Sequence, residues 1–281
     1  MRIALFGASG FLGRAVARAL EAAGHTAGPT GRVEITDPAA LDRLEIEADA
    51  VVNCAARVPS APATLPEHAA LFAANAVGAT HLARWAVARG IGRIVHCSTL
   101  AVVSRPWPVP LTEEAPTGSV AAYAASKLAG ELTVAATAAS AGASCAVLRL
   151  SALYGPGMRW AGVLPTLIDD ALSGRRLRAS RGAHADFLHV DDAARAVVRA
   201  AEVGATGIFN VAAGVETRIP DLASAVLAAC DRPADALDIV ESPAAHAVVS
   251  VTRMRGGLGV ESRIPLARGI SELVAARTSS R

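Results

Sequence analysis

At 281 residues, with hydrophobic side chains making up 52% of them, the chain has the length for one large α/β domain or two interlocked ones around a substantial core. A formal charge of +2 gives no footprint for nucleic acid or an anionic membrane surface, and no run of about 18 apolar residues lacks a charge, so no membrane span is expected. Aromatics are only 4%, so packing must rest on Ala, Val and Leu, as in helices laid closely on a parallel sheet.

Residues 2–6 read as a short strand. Gly7-Ala8-Ser9-Gly10-Phe11-Leu12-Gly13 follows at once and leads into helical periodicity over 14–20. Glycines at these places permit a tight turn, close backbone approach to a pyrophosphate and close helix-strand packing, with the helix N-terminus facing the anion. The spacing is GxxGxxG; between a strand and a helix it points to dinucleotide binding by Gly7, Ser9, Gly10, Phe11, Leu12 and Gly13. A second strand is expected near 26–30, made short and irregular by Gly28 and Pro29. Its end reads Gly31-Arg32, without the acid that a ribose hydroxyl calls for. NADP(H) is therefore expected ahead of NAD(H), with Arg32 meeting a 2′-phosphate and Arg14 as a helper.

Val33-Glu34-Ile35-Thr36 reads as a brief third strand running into a helix, with Asp37 as N-cap and Pro38 at the first helical position. Residues 50–56 form a strand ending in small side chains that leave room for a ligand. A helix carrying Leu71, Asn75, Leu82 and Ala86 comes next, and the strand at 93–99 ends in Ser98 and Thr99. Parallel sheets bind ligands at strand C-termini, so these hydroxyls point into the expected site.

After a proline-stiffened loop at 105–110 comes Tyr123-Ala124-Ala125-Ser126-Lys127. Tyr and Lys four apart on a helix share a face, so phenol and ammonium can serve one site. Lys127 is the only lysine among 27 basic residues, which marks a place where a guanidinium would not serve. A fixed cation beside a phenol favours the phenolate, and the pair is a general acid/base device. A strand at 145–150 and the turn Tyr154-Gly155-Pro156-Gly157 complete five βα alternations by residue 155. Beyond lie a helix at 164–172, a basic strand at 175–178, a strand and cap at 186–192, a helix at 193–201, a strand at 208–211, and helices at 220–230 and 265–276.

The four cysteines, Cys54, Cys97, Cys145 and Cys230, stand far apart in sequence with no CxxC pair, which fits thiols in a reducing cytosol better than a disulfide frame or a zinc site. No metal site is read from the sequence. The first residues turn to glycine too early for a signal peptide, and a soluble, cytoplasmic enzyme is the expectation.

Taken together, residues 7–13, Asn75, Ser98-Thr99, Tyr123 with Lys127, Arg149 followed by residues 154–157, the run 186–192 and Phe209-Asn210-Val211 resemble an extended short-chain dehydrogenase/reductase, the group that contains the NAD-dependent epimerase/dehydratase family of nucleotide-sugar enzymes. The resemblance implies an α/β fold: a doubly wound parallel (Rossmann) sheet in 1–155 and 183–212, with a smaller C-terminal substrate-binding cap from 156–182 and 213–281. It implies that Tyr123 gives or takes the proton and that Lys127 holds the nicotinamide ribose and lowers the phenol's pKa. Thr99 would hydrogen-bond the reacting oxygen, with Ser98 as second candidate. Glu34 and Ile35 stand where the family holds adenine, Ala55 and Ala56 where it lines the cleft, and Asn75 on the cofactor side. His189 reads as a packed strand residue. Residues 69–89 and 121–139 would pair in a homodimer.

The departures fall on the substrate side. The family's valine-tyrosine-glycine turn is Val102-Val103-Ser104, the arginine-proline-x-asparagine run is Arg149 followed by Leu150, Ser151 and Ala152, and the usual arginine before Asp186-Phe187 is Ala185. The late arginine-x-glycine-aspartate element is not recognisable between Ile239 and Val251. Arg176, Arg178 or Arg181 are expected to replace these contacts. The function implied is an NAD(P)-dependent ketoreductase or epimerase acting on a secondary alcohol or ketone of a nucleotide sugar. A reductase of a non-nucleotide ketone or aldehyde is the alternative. A non-catalytic dinucleotide-binding protein is a third reading, which the intact Tyr-Lys pair disfavours.

Overall fold

Short apolar runs without polar alternation become strands of a parallel sheet covered on both faces, as such runs require. The structure, a computed structural model, describes residues 1–28, 32–59, 63–158 and 162–279. Its strands are β1 (Arg2–Phe6), β2 (Thr26–Gly28), β3 (Ala50–Asn53), β4 (Arg93–Thr99), β5 (Ser144–Leu150), β6 (Ala152–Tyr154), β7 (Leu177–Ser180), β8 (His184–His189), β9 (Gly207–Val211), β10 (Glu216–Arg218) and β11 (Leu237–Val240). The α-helices are α1 (Phe11–Ala22), α2 (Pro38–Asp42), α3 (Leu65–Phe72), α4 (Ala79–Ala88), α5 (Ala122–Ser140), α6 (Val163–Leu172), α7 (Val190–Val203), α8 (Ile219–Ala229) and α9 (Leu266–Thr278).

The central sheet runs β2-β1-β3-β4-β5-β9 with every pairing parallel. Strand side chains alternate between faces. Ile3, Leu5, Val52, Val95 and Leu148 accordingly join one core with Val16 and Leu20 of α1 and Val197 of α7. Ala4, Phe6, Val51, Ile94 and Val147 join the other, with Leu82 and Ala86 of α4 and Val134 of α5. This is the doubly wound architecture expected. The chain leaves β1 toward β2 on one side and resumes at β3 on the other, which places the switch point, and the ligand crevice it creates, above β1 and β3.

A third core lies under the cap, where Leu164, Leu167 and Ile168 of α6 meet Leu222 and Val226 of α8 and Ile270 of α9. The cap also holds the small sheets β10-β8-β6 and β11-β7. Its boundary differs from that drawn at 213: Val249, Val251, Met254, Leu258 and Val260 pack into the central core, while Phe187, Ala183 and Ala185 face the cap core.

Two local readings are corrected. Residues 33–36 form no strand, because the Glu34 carboxylate accepts from the backbone and hydroxyl of Thr36 and curls the segment into a turn. Asp37 does cap α2, accepting from Ala39 N, with Pro38 at its start. The basic strand expected at 175–178 is shifted to β7, which leaves Arg175 and Arg176 before it. Of the second strand's expected span, Pro29 and Thr30, with Gly31 after them, lie outside the described residues.

Candidate active site

The glycine loop closes because two of its residues have no Cβ. A Cβ on Gly7, whose φ is +80°, would lie 2.5 Å from Ala55 N, and one on Gly13 would lie 2.0 Å from Gly7 O. Gly10 is the N-cap of α1 and brings no side chain to it, so no cap side chain competes with an anion at the positive end of the helix. The crevice above it, about 560 Å³, is lined by residues 7–10, Arg32, Glu34, Ile35, Ala55 and Ala56. The Arg14 guanidinium donates to Ser9 O and Gly157 O, which ties the glycine loop to the turn after β6.

Asn75 sits in a π-helical stretch, Ala73–Gly78, that joins α3 to α4. Its amide accepts from Arg57 N and donates to Arg57 O and Ser126 Oγ, so it pins the crevice wall to α5 and does not itself line the crevice.

A second cavity, about 400 Å³, meets the first at Gly10, Cys54 and Ala56 and contains Phe11, Leu12, Ser98, Thr99, Tyr123 and Lys127. α5 buries a stripe at Ala124, Lys127, Glu131, Val134 and Ala138, the three-four spacing of an amphipathic helix. Lys127 is 2% exposed and donates to Cys97 O at 2.6 Å. Desolvation lowers its pKa, offset in part by Cys97, Glu131 and Cys54. Tyr123 keeps partial exposure to the cavity although protein atoms surround it, and burial pushes its phenol up to about 12. That is the reverse of the direction expected from the Tyr-Lys spacing, because the ammonium is anchored on a carbonyl and desolvation dominates.

Ser98 and Thr99 face different ways, as neighbours in a strand must. Ser98 donates to Glu131, which is held by Arg149 through Nε and Nη2 in an ion pair with both side chains 4% exposed. Arg149 Nη1 donates in turn to Glu113 O, and Glu113 accepts from Asn210 N. Thr99 stays half-buried at the strand end, with Oγ1 accepting from Ala101 N. Of the two hydroxyls, Thr99 is the one not turned into the buried network. The sequence reading passed over Glu131, although it lies one turn after Lys127 in the buried stripe, which is the signal that finds it.

The far side of this cavity, toward the cap, is largely apolar, walled by Leu150, Leu153, Met158, Leu164, Pro165 and Phe187, and no carboxylate, imidazole or guanidinium lines it among the described residues. Arg176 and Arg181 do not reach it: they pair with Asp238 and Glu241 along the exposed β7–β11 edge, and Arg178 is exposed beside them. His189 is buried and caps α7, its Nδ1 accepting from Asp191 N. Cys54 and Cys97, distant in sequence, are spatial neighbours with Sγ atoms 3.7 Å apart. His96, buried behind them against Asn53, is held neutral by desolvation.

A glycine-lined crevice at the switch point of a doubly wound sheet, opening beside a tyrosine and a buried lysine, defines a nicotinamide-dinucleotide-dependent enzyme of the short-chain dehydrogenase/reductase class. The chain belongs to the NAD-dependent epimerase/dehydratase family, whose sequence profile matches residues 3–212. A dTDP-glucose 4,6-dehydratase of Streptomyces niveus is 28% identical over 249 residues, 86% of this chain and 74% of that protein. A dTDP-4-dehydrorhamnose reductase of Mycobacterium tuberculosis is 35% identical over 226 residues, 73% of this chain and 67% of that one. Among solved structures, RMD from Pseudomonas aeruginosa complexed with NADPH has the same fold, with a TM-score of 0.88 at 24% identity, covering 100% of this chain and 99% of the other. No helix among the described residues is long and apolar enough to cross a membrane.

Proposed function

We propose that the chain is an NADP(H)-linked ketoreductase or epimerase acting at a secondary alcohol or ketone of a nucleotide sugar. The observation that carries this is the meeting of two cavities: Thr99, Tyr123 and Lys127 line one, and it joins the glycine-lined crevice at Gly10, Cys54 and Ala56. The crevice fits a dinucleotide, since the backbone approach that Gly7 and Gly13 allow is what a pyrophosphate needs, and Arg32 suits a 2′-phosphate. Bound there, the cofactor supplies or removes hydride at the carbon bearing the oxygen.

The chain's own groups handle the proton and the charge. Tyr123, kept protonated by burial, gives its proton to the oxygen as a carbonyl becomes an alcohol. Thr99 hydrogen-bonds that oxygen as its charge develops. Lys127 commits one N–H to Cys97 O, which leaves two donors for a ribose. Ser98, turned to Glu131, positions the strand end. Dehydration fits less well, since expelling a hydroxyl calls for a second acid and, among the described residues, no carboxylate or imidazole lines the cavity around Tyr123; His184 and Asp186 wall only the side cavity beyond Thr99. The reading includes a homodimer through residues 69–89 and 121–139.

A second reading, reduction of a non-nucleotide ketone or aldehyde, is favoured by the apolar cavity and by the surface pairing of Arg176 and Arg181. The test is NADPH oxidation on a panel of ketosugar nucleotides and simple ketones. Turnover of ketosugar nucleotides is expected, faster with NADPH than with NADH, and Tyr123→Phe should lower kcat by about 10²- to 10⁴-fold without loss of cofactor binding. Turnover confined to simple ketones would replace the first reading with the second.

A further inference from the structure

Three donor groups converge where the cap meets the central domain, outside the catalytic cavity. β8 and β10 pair antiparallel with His184 opposite Arg218 and Asp186 opposite Glu216, so His184 and Glu216 are diagonal neighbours on one face. His246 is delivered to the same face by the parallel bridge between Ala183 and Ala245. His184 Nδ1 lies 3.0 Å and His246 Nδ1 3.1 Å from the same oxygen, Glu216 Oε1, and the three donor atoms all fall within 4.8 Å of one another. That oxygen is held by Ala247 N at 2.8 Å.

The His184 contact is not a hydrogen bond. Its side chain is 10% exposed, and its buried Nδ1 has no hydrogen-bond partner although Oε1 is only 3.0 Å away, because the oxygen lies off the direction in which the ring nitrogen donates or accepts. The His246 contact is a hydrogen bond, so an ion entering here replaces that bond, while the buried His184 nitrogen is unspent and free to ligate. Tetrahedral zinc with bonds of about 2.0–2.1 Å sets its ligands roughly 3.3 Å apart, close to both nitrogen-to-oxygen distances here; the donor atoms spread over as much as 4.8 Å, so the exposed His246 ring must swing inward on binding. Two imidazoles and one carboxylate suit zinc and exclude magnesium and calcium, which take oxygen ligands.

We propose that His184, Glu216 and His246 form a binding site for one zinc ion, with water in the fourth position. The ion ties β8, β10 and the segment around residue 246 together. His184 and Ala247 also wall a side cavity that opens off the catalytic one at Thr99, Ser151 and Ala152, so the tie steadies the substrate side of the enzyme.

The test is zinc titration of the metal-stripped full chain against a chromophoric chelator, with cobalt(II) spectra and thermal melts alongside. One zinc per chain is expected, with a rise in Tm and a cobalt spectrum free of thiolate charge-transfer bands. His246→Ala, at a side chain 52% exposed and so tolerated by the fold, should weaken zinc binding by at least about tenfold and abolish the rise in Tm. Glu216→Gln, which keeps the side chain's shape, should do the same. Absence of zinc binding, unchanged binding by His246→Ala, or a thiolate band placing the metal at Cys54 and Cys97 would each overturn the proposal.

Discussion

Lys127 occupies a place shaped for an ammonium. It is fully enclosed, and its Nζ reaches Cys97 O beneath the cavity that Tyr123 faces. A planar guanidinium on a longer stem cannot set one donor on Cys97 O and the others where the ammonium sets them. Lys127→Arg is expected to keep the fold by circular dichroism but to lower kcat by about 10²-fold, as a misplacement of about 1 Å does at a reacting centre. Retained activity would deny the lysine its positioning role. The phenol makes a separate prediction. A proton donor works below its pKa and fails as pH rises through it, and burial sets Tyr123 at about 12. Reductive kcat should therefore show no loss from this group between about pH 7 and 10. A fall centred near the ordinary phenol value in a pH-rate profile would mean that desolvation is overcome in the working complex. The pairing of Tyr123 with Lys127 was legible in the sequence because a helix turn is local. The direction of the phenol's shift was not, because desolvation depends on which distant segments close over it.

At the scale of the element, α5 carries Tyr123, Lys127 and the polar core behind them on one side. Ser98, Glu131 and Arg149 connect α5 to β4 and β5, and the Glu131–Arg149 pair is closed to water. Removing one partner leaves the other charged and unpaired, so Arg149→Met should cost about 3–5 kcal/mol in denaturant unfolding. Adding Glu131→Leu should recover part of that loss; a double variant less stable than the single one would contradict the account. At the other edge, Gly13→Ala places a methyl 2.0 Å from Gly7 O and should abolish dinucleotide binding by calorimetry through collapse of the loop. The alternation of strands and helices, the glycine turn and the Asp37 cap could be read from the sequence because periodicity and capping are local. The strand at 33–36 was misread because a side chain, Glu34, supplies the bonds that a neighbouring strand would have made. Arg176 and Arg181 looked available for a substrate because their partners, Asp238 and Glu241, arrive some 60 residues later on β11 and just after it.

For the whole molecule, the outer faces of α3, α4 and α5 pose a question of assembly. Inward, α5 uses Val134 and Ala138; outward it shows Leu132, 64% exposed, among small residues. The adjoining helix shows Phe72 and Val77, 39% and 49% exposed, and Thr80 Oγ1 bonds Thr133 Oγ1 across the seam between them. An isologous dimer would place each patch against its own copy, so that one substitution acts twice. Light scattering is expected to give a dimer for the wild type. Leu132→Glu would set two carboxylates in the buried seam, where like charges cost several kcal/mol, and should weaken association by at least about 100-fold. Because Leu132 lines neither the crevice nor the cavity beside Tyr123, the monomer so formed should still bind the dinucleotide. A monomeric wild type, or a variant that stays dimeric, would move the interface to another face and leave the outward apolar side chains of α5 as ordinary surface.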